Sequence, residues 1–143
     1  MNINGNFSYN LNNKPLTFGQ KNQVDQLKKT DREVRIHEQA HQTAAGRFGG
    51  TPSYTFFKGP DGIAYAVGGQ VPIKIEKDKD PNKTIENAEI IKNAALAPSD
   101  PSSQDIIVAS NADKMIEDAK LKLDKNKNTP EKNPTGEKLN IVG

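Results

Sequence analysis

The chain has 143 residues, the usual span of a single domain. Only 33% of them are hydrophobic and the mean hydropathy is −0.80, so part of the chain is expected to lie outside any packed core. Twenty Lys and Arg nearly balance eighteen Asp and Glu, and no basic stripe interleaves with aromatics, which argues against nucleic acid. The absence of cysteine excludes a disulfide scaffold and thiolate-ligated zinc. No apolar run is long enough to span a membrane. Residues 1–7 lack the basic and apolar regions of a secretory signal, so the expected compartment is the cytoplasm.

In chain order, residues 1–19 are rich in Asn and Gly and are expected to be disordered. The packed domain is placed at 20–124. Helix-forming residues begin at Gln20, and Thr30 to Glu33 fits a capping box, with Asp31 favouring the helix dipole. A helix should start or kink there. It carries Val34, His37, His41 and Ala44 or Ala45 on one face and ends at Gly46, Gly49 and Gly50. Ser53–Phe57 and Ile63–Val67 read as strands around the turn Lys58–Gly62, with a break or bulge at Gly68 and Gly69. Alternation at Val71, Ile73 and Ile75 suggests a third strand, which Pro72 pushes toward an edge. A helix from Thr84 to about Leu96 buries Ile85, Ala88, Ile91 and Ala95, and Ala97-Pro98 stops it. A last helix, about Ser103 to Leu123, uses Ile106, Ala109, Ala112, Ile116, Ala119 and Leu123. The tail, 125–143, is expected to be disordered. The fold class is therefore α+β: a zincin-like metal-binding helix, a β-hairpin or three-stranded antiparallel meander, and two C-terminal helices.

Both histidines of the chain fall in His37-Glu38-Gln39-Ala40-His41, an H-E-x-x-H motif. On a helix, positions i and i+4 share a face, so both imidazoles can reach one zinc ion. Glu38 is then the candidate general base for a zinc-activated water. The expected partner is a peptide or protein substrate, added as an extended strand to the hairpin edge. Tyr54 or Tyr65 is a candidate oxyanion donor, although hairpin aromatics more often serve packing.

Several stretches occur in a recognisable order. They are Val34–His41, Gly49–Phe56, Lys58–Gly69, Ala94–Pro98 and Pro101–Asp105. With these the chain resembles the SprA-related family of bacterial proteins, described as metalloproteases. The resemblance implies a zinc-dependent peptidase with His37 and His41 as ligands and Glu38 as base. Family members carry Glu after the paired glycines, where this chain has Gln70, and a neutral amide is a poor zinc ligand beside a carboxylate. That departure supports the alternative of a catalytically degenerate relative acting as a protein-interaction module. The third ligand stays open among Gln70, Asp105, Glu76, Glu86 and Glu89.

Overall fold

The computed structural model describes residues 9–128; residues 1–8 and 129–143, where most of the expected disorder was placed, lie outside the described residues. The elements are α1 (Phe18–Ala45), a 3₁₀ turn (Gly46–Phe48), β1 (Ser53–Lys58), β2 (Ala64–Gln70), α2 (Pro81–Ala95) and α3 (Ser103–Asn128). The class is α+β, as expected.

Helix α1 has 28 residues and is about 42 Å long at 1.5 Å per residue. It does not begin at Thr30. The working capping box is Thr17 with Gln20: the Thr17 hydroxyl accepts from the Gln20 N–H, and the Gln20 side chain accepts from the Thr17 N–H. No proline follows before Glu33, so nothing breaks the helix and the later box lies idle inside it. Asp31 serves a different end. Its Oδ1 accepts from the Ala66 N–H at 2.8 Å and its Oδ2 from Arg35 Nε at 3.0 Å, which ties β2 to the middle of α1. The segment before the helix is also pinned. Lys14 turns back on Asn10, and Leu16 is buried with Val24 and Tyr65, against which Leu27 packs.

Strands β1 and β2 form an antiparallel hairpin from Lys58↔Ala64 to Ser53↔Gln70. Its turn needs Gly62, whose φ of +81° strains an L-residue and whose N–H donates to the Gly59 carbonyl. The register skips Val67, giving a bulge one residue before the paired glycines. The third strand does not form, so of the two alternatives, hairpin or three-stranded meander, the hairpin is the one present. Pro72 has no N–H to give to a ladder. Its carbonyl instead accepts from Gly50 N, and Lys74 N donates to the Phe48 carbonyl, so this segment follows 48–50 rather than β2.

Helices α2 and α3 pack on each other around Phe48, Ala88, Ile91, Ala112 and Met115. Alanines on both helices allow close approach, and Ile91 is fully buried. The α3 face is rotated from the expected one: Met115 is inside and Ile106 is 56% exposed. At 100° per residue, Ile106 stands about a third of a turn from the stripe centred on Ala109, Ala112, Met115 and Ala119. Asp80 caps α2 through the Asn82 N–H, with Pro81 at the first helical position. The molecule thus has two small cores, one under the hairpin and one between α2 and α3, with α1 reaching both.

Replacing Asp31 tests the tie between α1 and β2. Asp31→Ala strands the N–H of fully buried Ala66 and should cost about 1–3 kcal/mol in denaturant unfolding. The Arg35 hydrogen bond, then the Ala66 N–H, hold the Asp31 carboxyl below its usual value. This contribution is present above the unfolded-state pKa of about 3.9 and is lost as the pH falls through the lower folded value. The stability difference between wild type and Asp31→Asn should therefore shrink below about pH 4.

Candidate metal centre

His37 and His41 project from one face of α1, one turn apart, as the motif spacing requires. Their Nε2 atoms stand 3.1 Å apart. The third group is Asp105, in the first turn of α3. Its Oδ1 lies 3.2 Å from His41 Nε2 and its Oδ2 3.3 Å from His37 Nε2. Ligands at about 2.0–2.1 Å from a tetrahedral zinc are separated by about 3.3 Å; the two imidazole nitrogens meet that spacing, and each faces a different oxygen of the Asp105 carboxylate at a similar distance. Among the described residues this trio is the one His, Cys, Asp and Glu group with metal-binding geometry, and it could hold a metal ion.

Two of the three groups, His41 and Asp105, are oriented by backbone. The His41 Nδ1–H donates to the Ala94 carbonyl at 2.9 Å, which leaves the lone pair of Nε2 facing the other two groups. Ser102 caps α3: its hydroxyl accepts from the Asp105 N–H, while its own N–H donates to Asp105 Oδ2 at 2.7 Å. Oδ1 is thereby the freer oxygen. Burial alone would raise the Asp105 carboxyl, but the Ser102 hydrogen bonds, His41 and His37 outweigh it and hold the group below its usual value.

Glu38 is 4% exposed, and its Oε2 has no hydrogen-bond partner among the described residues. A buried carboxylate oxygen without a partner is costly in a finished core. Burial pushes this carboxyl up, against the pull of His37 and His41, and Asp105 adds to the rise. Gly69 presses on it: a Cβ there would stand 2.7 Å from Glu38 Cγ.

Two cavities meet at His37, Glu38 and Gly69. One, of about 420 Å³, also reaches His41, Asp105 and Gln70. The other, of about 770 Å³, runs past Ile36 to Pro98 and Asp100.

Of the five candidates for the third ligand, Asp105 joins the histidines. Gln70 lines the cavity from the end of β2. Glu76 is paired with Lys74, and Glu86 and Glu89 lie on the exposed side of α2, so none of these three belongs to the group. Neither tyrosine is an oxyanion donor here. The Tyr65 hydroxyl donates to Asp61, and burial together with that bond pushes it up to about 12. Tyr54 lies beneath the Arg35 guanidinium, and neither ring lines the cavities. Sequence reasoning placed an N-cap in the loop 99–103 but missed that Ser102 also holds the Asp105 carboxylate, and it missed Ala94. Ser102-x-x-Asp105 carries a capping signal, whereas Ala94 acts through a carbonyl that any residue would supply.

The model of the SprA-related family matches residues 12–135, and the chain belongs to that family. No curated protein and no solved structure matches it.

Calorimetric titration with zinc tests the centre. Asp105→Ala and His41→Ala should each abolish tight binding. Ser102→Ala, which leaves all three ligands but loosens the cap, should weaken it by about tenfold or more. Affinity should fall as the pH is lowered, because both imidazoles must be neutral to bind metal.

Proposed function

We propose that this member of the SprA-related family is a zinc-dependent peptidase, with His37, His41 and Asp105 as ligands and Glu38 as general base. The observation that carries this reading is the unpartnered Oε2 of buried Glu38 beside three converging ligand atoms. A hydrogen-bonded core cluster would leave no such oxygen, whereas a catalytic base needs one.

The donor set of two neutral imidazoles and one carboxylate suits zinc, and three protein ligands leave a position open, as catalytic sites do. Zinc so held supplies Lewis acidity, which makes water a nucleophile near neutral pH and polarises a scissile carbonyl. Glu38 Oε2 then takes the proton of the attacking water and passes it to the leaving amine. The Nδ1–H bond to the Ala94 carbonyl keeps His41 in the tautomer that presents Nε2. The Ser102 N–H steadies Asp105 while leaving Oδ1 available. Gly69 fixes the Glu38 side chain and permits a close approach of substrate backbone. The interaction-module reading leaned on Gln70 as a failed third ligand. Asp105 now supplies that ligand, so Gln70 no longer favours it.

Zinc content and peptide cleavage should separate in two variants. Glu38→Gln keeps stoichiometric zinc by elemental analysis and loses cleavage of a mixed peptide library. Gly69→Ala also keeps zinc, but displaces Glu38 and lowers the rate by about a hundredfold. Wild-type protein that purifies without zinc and cannot be reconstituted would contradict the proposal.

A further inference from the structure

The two cavities that meet at the centre differ in charge. The smaller is walled by Val71, Ile73, Ile75 and Val108, and Asp105, beside Glu38 itself, is its one further charged group. The larger has Val34, Ile36 and Pro98 as apolar wall, with two further carboxylates, Glu33 and Asp100, at its sides. Among the described residues, no Lys or Arg lines either cavity. Asp100 has no side-chain partner among the described residues. Glu33 has only the exposed Lys29, at 3.8 Å and one turn away. A pair of that kind holds its partners weakly. Glu38, buried and with Oε2 unpartnered, lies at the junction and lines both lobes.

A chain crossing the junction would therefore meet, on one side, an apolar-walled lobe whose carboxylates are those of the centre itself and, on the other, an apolar-walled lobe with two additional carboxylates. We infer that the preferred substrate is a peptide with an apolar side chain on one side of the scissile bond and a cationic group on the other, drawn to the lobe that Glu33 and Asp100 line. The inference rests on the peptidase reading for the word substrate; the charge selection itself is a property of the cleft. Two sources supply such a cation: a Lys or Arg side chain, or the free amino terminus of a short peptide. An aliphatic stem on the cation also suits the wall of Val34, Ile36 and Pro98.

The probes are octapeptides of Ala and Leu, N-acetylated and C-amidated, with one Lys, Gln or Glu moved through every position. A matched set without Lys keeps a free amino terminus. Cleavage is measured with zinc-loaded wild-type protein, and binding by fluorescence anisotropy with zinc-loaded Glu38→Gln, which does not depend on turnover. The expected result is that Lys is favoured over Glu by about tenfold at one position, at low salt. In Glu33→Gln/Asp100→Asn this preference falls below about threefold, with zinc content and circular dichroism unchanged. A position-specific gain from Lys in the capped set assigns the cation to a side chain; a gain only in the uncapped set assigns it to the amino terminus. Equal binding of the Lys, Gln and Glu peptides with no gain from a free amino terminus, or a preference that survives in the double variant, overturns the inference. Charge-selective binding without cleavage by the wild type sinks the peptidase reading and leaves the acidic lobe standing as a binding site.

Discussion

Two imidazole nitrogens 3.1 Å apart, each within 3.2–3.3 Å of one oxygen of a shared carboxylate, call for a cation or a shared proton between them. With the Nδ1–H of His41 given to Ala94, its Nε2 faces Asp105 lone pair to lone pair unless a cation intervenes. The placement of the three helices satisfies this one demand. Helix α1 supplies both imidazoles, α2 fixes one of them through a carbonyl in its last turn, and α3 begins with the carboxylate.

The rest of the chain can be read as support for that arrangement. The cores are small, and the chain is poor in hydrophobic residues overall, so packing alone offers limited rigidity. Polar ties do much of the positioning. Asp31 docks β2 against α1, and β2 in turn sets Gly69 against Glu38. Arg47, just past α1, donates to Asn87 on α2 at 3.0 Å. A metal at the trio would join α1 to α3 directly and add to folding stability whatever its binding free energy is in the folded state.

Much of this was legible in the sequence, for identifiable reasons. The H-E-x-x-H spacing depends only on helical periodicity, and the two-histidine count made the motif conspicuous. The hairpin turn was legible because Pro60 and Gly62 leave few backbone choices. What failed was anything decided by competition between equivalent local signals. Thr30 to Glu33 and Thr17 to Gln20 both spell a capping box, and only the second stands where extended chain passes into the helix. Val71, Ile73 and Ile75 alternate like a strand, but the hydrogen bonds of that segment go to the glycine turn after α1. Ile106 fitted the helical face until alanines elsewhere on α3 set the closest approach to α2. The third member of the trio was out of reach because Asp105 is 64 positions from His41 in the chain, and only tertiary structure chooses among five carboxylates and amides. Its cap with Ser102 was the local hint that this carboxylate is held in place.

The centre itself is tested most directly by X-ray absorption at the zinc edge on protein reconstituted with one equivalent of zinc. The expected spectrum is fitted by two imidazoles and oxygen ligands at about 2.0–2.2 Å. The imidazole count should drop to one in His37→Ala, and one oxygen should be lost in Asp105→Ala. A spectrum without paired imidazole scattering, or one that Asp105→Ala leaves unchanged, would contradict a His37–His41–Asp105 metal centre.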